Sequence, residues 1–353
     1  MSFKTIVTIF TSVLIAIIIF ISRDQLVEAW NLLGKLDPWI LGLLIPVQFI
    51  SYYAVGEMVF SYLRAKKLIE HLSPFTLARM SLEMNFVNHV LPSGGISGVS
   101  YLTWRLSKYG VNPAKSTLAQ LVRFAMGFVA FSVILAVAVI VVTLDNNLNR
   151  WIILLSASII FLIIGLVGIC MYAFEKEARL RGLARWITKV TNRVVYELTF
   201  RHKKEVIKSE PIETFFVEMQ DDYLALKKDK KLLIKPFIWG IVAVSADISL
   251  FLVSFYALGA PINPAAVAIA YGFAITVGNV IVTPGGAGAY ETIMIAILAM
   301  AAAEADAKTV IAGILITRVA TLLGTIVFGY VFYQHAIFKL GKPSHGKHPD
   351  LKG

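Results

Sequence analysis

Six long apolar stretches recur along this chain, at residues 5–21, 38–60, 117–144, 151–174, 236–258 and 310–334, with short polar segments between them. Each approaches or exceeds the roughly 20 residues a helix needs to cross the hydrocarbon core. Two further apolar stretches are interrupted. One breaks at L-P-S-G-G-I-S-G (91–98), the other at V-T-P-G-G-A-G-A-Y-E (282–291). Pro92 and Pro284 lack an N–H, and Gly94, Gly95, Gly98, Gly285, Gly286 and Gly288 favour irregular backbone. An unpaired backbone group in hydrocarbon costs several kcal/mol, so such breaks belong where they line a cavity or site. Two breaks in corresponding halves point to a transporter's binding site. The pattern predicts an all-α polytopic membrane protein with about six full spans and two Gly/Pro-broken helix pairs, re-entrant or spanning.

Composition supports the pattern. The chain has 353 residues, 58% hydrophobic and 16% charged, with a mean hydropathy of +0.74. Soluble domains average about 45–50% apolar and about 25% charged. No small-x-small cleavage site precedes Arg23, so residues 5–21 read as an uncleaved first span. The net charge of +11 is concentrated in a few segments: Arg64, Lys66, Lys67, His71 and Arg79; Arg105, Lys108 and Lys115; residues 175–235; and the tail from Lys339. That is the positive-inside distribution, and nucleic-acid binding is the weaker reading. Residues 175–235 hold 15 Lys/Arg against 10 Asp/Glu.

With the N-terminus inside, every basic segment falls on the cytoplasmic side. The order span, span, broken pair, span then occurs twice with opposite orientation, an inverted repeat. The expected divisions are 1–144, first repeat; 145–174 with 236–335, second repeat; 175–235, basic linker; and 336–353, cytoplasmic tail. The expected location is the plasma membrane, multi-pass, with both termini cytoplasmic. Within the linker Leu183, Trp186, Ile187, Val190 and Val194 recur at helical spacing, interleaved with Arg181, Arg185, Lys189 and Arg193. Residues 179–194 fit a helix lying on an anionic leaflet, and equally an ordinary cytoplasmic linker helix.

The single cysteine, Cys170, excludes a disulfide within the chain and a cysteine-based metal site. The six histidines form no HExxH pair, so no metal or other cofactor is expected. Ser93 and Ser97 lie in a Gly-rich break without a G-x-S-x-G context, and no catalytic residue is assigned.

Ionisable residues inside spans are the candidate site. Arg123 lies roughly 10 residues into its span, about 15 Å deep, and Arg318 holds a similar place in the last span. Arginine is always charged, and its planar fork suits phosphate. Facing helix starts after the breaks, the two would form an anion site for a phosphodiester headgroup. Each could instead pair with a buried acid: Asp247, Glu57 or Glu291. Glu291 could cap its own helix or contact a headgroup. Asp247 is a candidate coupling site or an interhelical hydrogen bond. Asn88 and Asn279, before the breaks, could satisfy backbone or contact ligand.

P-G-G-A-G-A-Y-E (284–291), followed by Arg318 in I-L-I-T-R-V-A-T, resembles the second signature of the lysylphosphatidylglycerol synthase transmembrane-region family. L-P-S-G-G-I-S-G, with Arg123 in Q-L-V-R-F, is similar to its first. The resemblance covers about residues 5–335. It implies a flippase-like membrane region without the aminoacyl-transferase half, and a membrane phospholipid as its partner. Members often carry an acid shortly after the first glycine pair and another before the first arginine; here 98–100 and 120–122 are uncharged. Two alternatives stand beside the lipid flippase: a solute or ion transporter coupled through Asp247, and a membrane enzyme acting on lipid-linked substrates.

Overall fold

A computed structural model describes residues 13, 15–17, 19–20, 23–32, 34, 36–91, 95–144, 150–198, 208–280, 288–301 and 306–340. Among these residues there is no strand. In chain order the helices are α1 (Arg23–Leu32), α2 (Pro38–Ala65), α3 (Pro74–Val90), α4 (Ile96–Ser107), α5 (Pro113–Leu144), α6 (Arg150–Phe174), α7 (Glu177–Leu198), α8 (Ser209–Lys228), α9 (Lys230–Ala257), α10 (Pro264–Val280), α11 (Ala289–Ala301) and α12 (Ala307–Lys339). Five of them, α2, α5, α6, α9 and α12, are long and apolar enough to cross a membrane. The sixth expected span, 5–21, lies mostly outside the described residues.

Four helices start with one device: a short polar residue followed by proline. In Asp37-Pro38, Ser73-Pro74, Asn112-Pro113 and Asn263-Pro264 the proline is pre-set for the first helical turn. The polar side chain accepts an N–H of that turn, from Trp39 (2.9 Å), Thr76 (3.3 Å), Ala114 (2.7 Å) and Ala265 (2.8 Å).

α6 decides the solvent. Only Ile152, Ser156, Ile163 and Phe174 are buried on it, while Leu154, Phe161, Leu162, Ile164 and Ile169 are exposed. An apolar helix bare over most of its surface is stable only in hydrocarbon. Exposed Trp30, Trp39 and Trp151 stand at helix ends, where amphipathic rings favour the membrane interface.

α2 and α9 pack along each other at the centre, and the remaining contacts pair off. α2 touches α3 and α5, as α9 touches α10 and α12. α4 touches α5, as α11 touches α12. Across the middle, α5 packs on α9 and α10, and α12 on α2 and α3. These two crossings use the same fit. Gly272 of α10 leaves room for the Phe131 ring of α5, where a Cβ would fall 2.6 Å from it. Gly329 of α12 admits Phe86 of α3, where a Cβ would fall 2.4 Å away. One apolar core lies among α5, α9, α10 and α11, a second among α2, α3, α4 and α5.

The structure adds three features to the sequence pattern. α12 contains a π turn, Thr325–Gly329; Thr321 O there accepts Gln48 Nε2 of α2 at 2.8 Å. Arg105, counted above among loop charges, is instead buried on α4, with Nε 2.9 Å from Glu83 of α3. The Tyr101 hydroxyl donates to the same carboxylate at 3.0 Å. Finally, the linker contains a helical hairpin, α7 on α8. Gln220 of α8 donates to Phe174 O at the end of α6 (3.0 Å), and Lys227 reaches Glu175 (2.9 Å). The bond to Lys227 holds the Glu175 carboxyl below its usual range, and the Lys227 amine is raised in turn.

Candidate functional site at the two glycine breaks

At the first break, α3 ends at Val90 and α4 begins at Ile96. Pro92 and Gly94 lie outside the described residues. Gly95 has φ +92°, a conformation that glycine adopts without Cβ strain. The first turn of α4 is tied back to α3: the Gly98 N–H donates to Asn88 Oδ1 at 2.9 Å, and Ser97 Oγ donates to Val87 O at 3.3 Å. Gln120 of α5 holds the next turn, donating to Val99 O (3.1 Å) and Thr103 Oγ1 (3.0 Å).

One turn along α5 from Gln120 stands Arg123, 8% exposed. Its guanidinium lies over the Phe124 ring, 4.1 Å from the centroid. That ring borders Gly95, where a Cβ would stand 3.5 Å from Phe124 Cζ. Arginine, ring and break therefore form one cluster. Nε and Nη2 of Arg123 are buried and have no hydrogen-bond acceptor among the described residues.

At the second break, Pro284, Gly285 and Gly286 lie outside the described residues. Asn279 is on the last turn of α10, and its side chain is outside the description. Gly288 has φ +90°, matching Gly95. Its N–H donates to Glu291 Oε2 at 2.6 Å, the glutamate half of a capping box at the start of α11. The other oxygen of Glu291 accepts Arg318 Nε at 2.6 Å. The Arg318 guanidinium lies over the Tyr290 ring, 4.5 Å from the centroid.

The two breaks are built alike but charged differently. Three residues beyond the left-handed glycine, the second half has Glu291 and the first has Gly98. Each arginine lies on an aromatic ring, Phe124 or Tyr290, but only Arg318 receives a carboxylate from its own break.

Asp247 accepts Ser51 Oγ of α2 (2.5 Å) and the Tyr271 hydroxyl of α10 (2.7 Å), joining three helices. Tyr271 and the Tyr290 of the second break both lie against the Phe251 ring, each with centroids 6.4 Å apart, so Asp247 belongs to the surroundings of the second break. Glu57 pairs with Arg64 of the same helix. Sequence reasoning missed the tyrosines and Phe124. The signal was an aromatic residue beside each marked charge: Phe124 follows Arg123, and Tyr290 precedes Glu291.

A family model, the lysylphosphatidylglycerol synthase TM region, matches residues 5–329. The chain belongs to that family. It is a multi-pass integral membrane protein of a lipid-related family. No curated protein matches it. The family match spans both glycine breaks and both arginines.

Proposed function

We propose that this family member translocates a phospholipid, or an amino-acylated or glycosylated lipid, between the two leaflets, as a carrier and not as an enzyme. The observation that carries the reading is Arg123: a buried guanidinium with two nitrogens lacking an acceptor, stacked on Phe124 at a helix break. A buried charge without a counter-ion is costly, and a lipid phosphodiester is an anion of suitable geometry in a membrane. The start of α4 adds the partial positive charge of its unpaired N–H groups. Arg318 is the second station. Glu291 fills it in this structure and remains bonded to Gly288 when the phosphate takes its place. The matching contacts of α2–α5 and α9–α12 support two stations related by an inverted repeat. We place the protein in the plasma membrane with both termini cytoplasmic and α7 against the anionic leaflet.

The test is leaflet accessibility of a labelled phospholipid in vesicles containing the purified chain. A phosphate held by charge-assisted hydrogen bonds at each station makes the Arg123→Ala, Arg318→Ala variant slower by about tenfold or more. Equal rates for the variant and the wild type would overturn the proposed site.

A further inference from the structure

We infer that a second headgroup site lies in a cleft between α2 and α9, and that it accepts a phospholipid carrying a primary ammonium as well as its phosphate. The cleft measures about 530 Å3 and is lined by Tyr53, Glu57, Ser61 and Arg64 of α2 with Lys235, Ile238 and Trp239 of α9. It lies at the end of α2 that runs out into Arg64, Lys66 and Lys67, and its lining contains no residue of either glycine break.

Its polar groups are unusual for a helix seam. Glu57 is 1% exposed. One carboxylate oxygen pairs with Arg64, while Oε1 is buried with no hydrogen bond among the described residues. Ser61 Oγ, one turn on, is also buried without a partner. Tyr53, one turn before, brings its hydroxyl beside the Glu57 carboxylate, short of hydrogen-bond geometry with Oε1, and meets Trp239 edge to face at 5.7 Å. At the rim, Arg64 is partly exposed and Lys235 is exposed.

A buried acceptor left unpaired calls for a donor. The donor that fits an acid flanked by two cations is an ammonium tethered to a phosphate. The ammonium takes Glu57 Oε1 and Ser61 Oγ, and the phosphate lies between Arg64 and Lys235. Tyr53 and Trp239 form an aromatic wall of the kind found at headgroup level, and exposed Ile238 borders the acyl chains. A quaternary ammonium has no N–H to donate, and a glycerol headgroup carries no positive charge. The cleft therefore selects the primary amine over both.

Only the ligand's identity as a lipid rests on the transport reading; the location of the site does not. The test is retention of phosphatidylethanolamine, phosphatidylcholine and phosphatidylglycerol of identical acyl chains by the purified full chain, read by native mass spectrometry. The wild type retains phosphatidylethanolamine about tenfold more than the other two, the expected worth of one hydrogen bond to a charged group. Glu57→Gln, nearly isosteric, removes that preference. Lys235→Gln, at an exposed position, lowers retention of all three lipids alike and leaves thermal unfolding unchanged. Equal retention by the wild type, a preference that survives Glu57→Gln, or retention unaffected by Lys235→Gln would each overturn the site. The readouts separate the two readings. Lost preference in Glu57→Gln with unchanged scrambling places only this site. Lost scrambling in the arginine variant with the preference intact concerns only the glycine breaks.

Discussion

A guanidinium held in an apolar interior needs an anion or a full set of acceptors. Arg318 has Glu291 at 2.6 Å. Among the described residues Arg123 has no such carboxylate, because the residue in the corresponding place is Gly98. That glycine is required by its neighbour: a Cβ at position 98 would fall 2.2 Å from Asn88 Oδ1, the atom that accepts the Gly98 N–H. The two residues form one unit and should be non-additive. Gly98→Ala alone overpacks the site and costs about 1–3 kcal/mol. Asn88→Ala alone leaves a buried N–H unpaired and costs about 1–3 kcal/mol. Thermal unfolding in detergent should show the double variant less destabilised than the sum of the two. A strictly additive result would mean that Asn88 and Gly98 do not meet as described. The sequence made Glu291 readable as a backbone satisfier because capping acts over a few residues, and Asn88 because it stands just before a break whose N–H groups need acceptors. It left Glu83 and Arg105 unpaired because their meeting depends on α3 and α4 folding back on each other. Breaking such a buried pair costs about 3–5 kcal/mol.

Among the helices, α7 is the one whose two faces belong to different environments. Leu180, Ala184 and Thr188 form a buried face. Leu183, Trp186, Val190 and Val194 form a second, exposed stripe, with Arg185, Lys189 and Arg193 beside it. An ordinary linker helix does not need that second stripe. Burying a large apolar side chain is worth about 1.5–3 kcal/mol, and each basic residue near an anionic surface adds about 1 kcal/mol. The stripe should therefore lie on the anionic leaflet. Amide hydrogen exchange over residues 177–198 should slow by about tenfold or more in discs with anionic lipid relative to neutral discs. Trp186→Glu with Val190→Glu should abolish the difference. Equal exchange in both kinds of disc would return α7 to the role of a linker. Its periodicity was legible because it is local. The π turn in α12 was not, because Thr321 O is taken up by Gln48 from another helix and Gly329 is pressed by Phe86.

At the scale of the whole molecule, the long helices were legible because hydrocarbon thickness imposes their length. The sides on which they emerge follow from charge alone, and this can be tested directly. α2 ends in Arg64, Lys66 and Lys67, and α9 starts after the basic hairpin of α7 and α8, so on the orientation proposed above both ends face the cytoplasm. α5 then exits, α6 returns, and α9 exits again. The pair α10–α11 must start and finish outside, whether it is re-entrant or spanning. α12, capped by Asp306 on Lys308 N–H (3.2 Å) and Thr309 N–H (3.3 Å), carries the chain back in. Replacing the exposed Cys170 by serine leaves a background without thiols, into which single cysteines can be placed at exposed positions. A membrane-impermeant maleimide should label Arg150→Cys and Lys308→Cys in intact cells. Glu70→Cys and Lys230→Cys should react only after permeabilisation. Lys308 and Lys230 form the decisive pair. Labelling from the same side would give α9 and the broken pair an even number of crossings, and the second half could no longer be the inverted copy of the first. Labelling from opposite sides, with Glu70 on the side of Lys230, would put the two breaks at opposite faces of the membrane, which two alternating phosphate stations require.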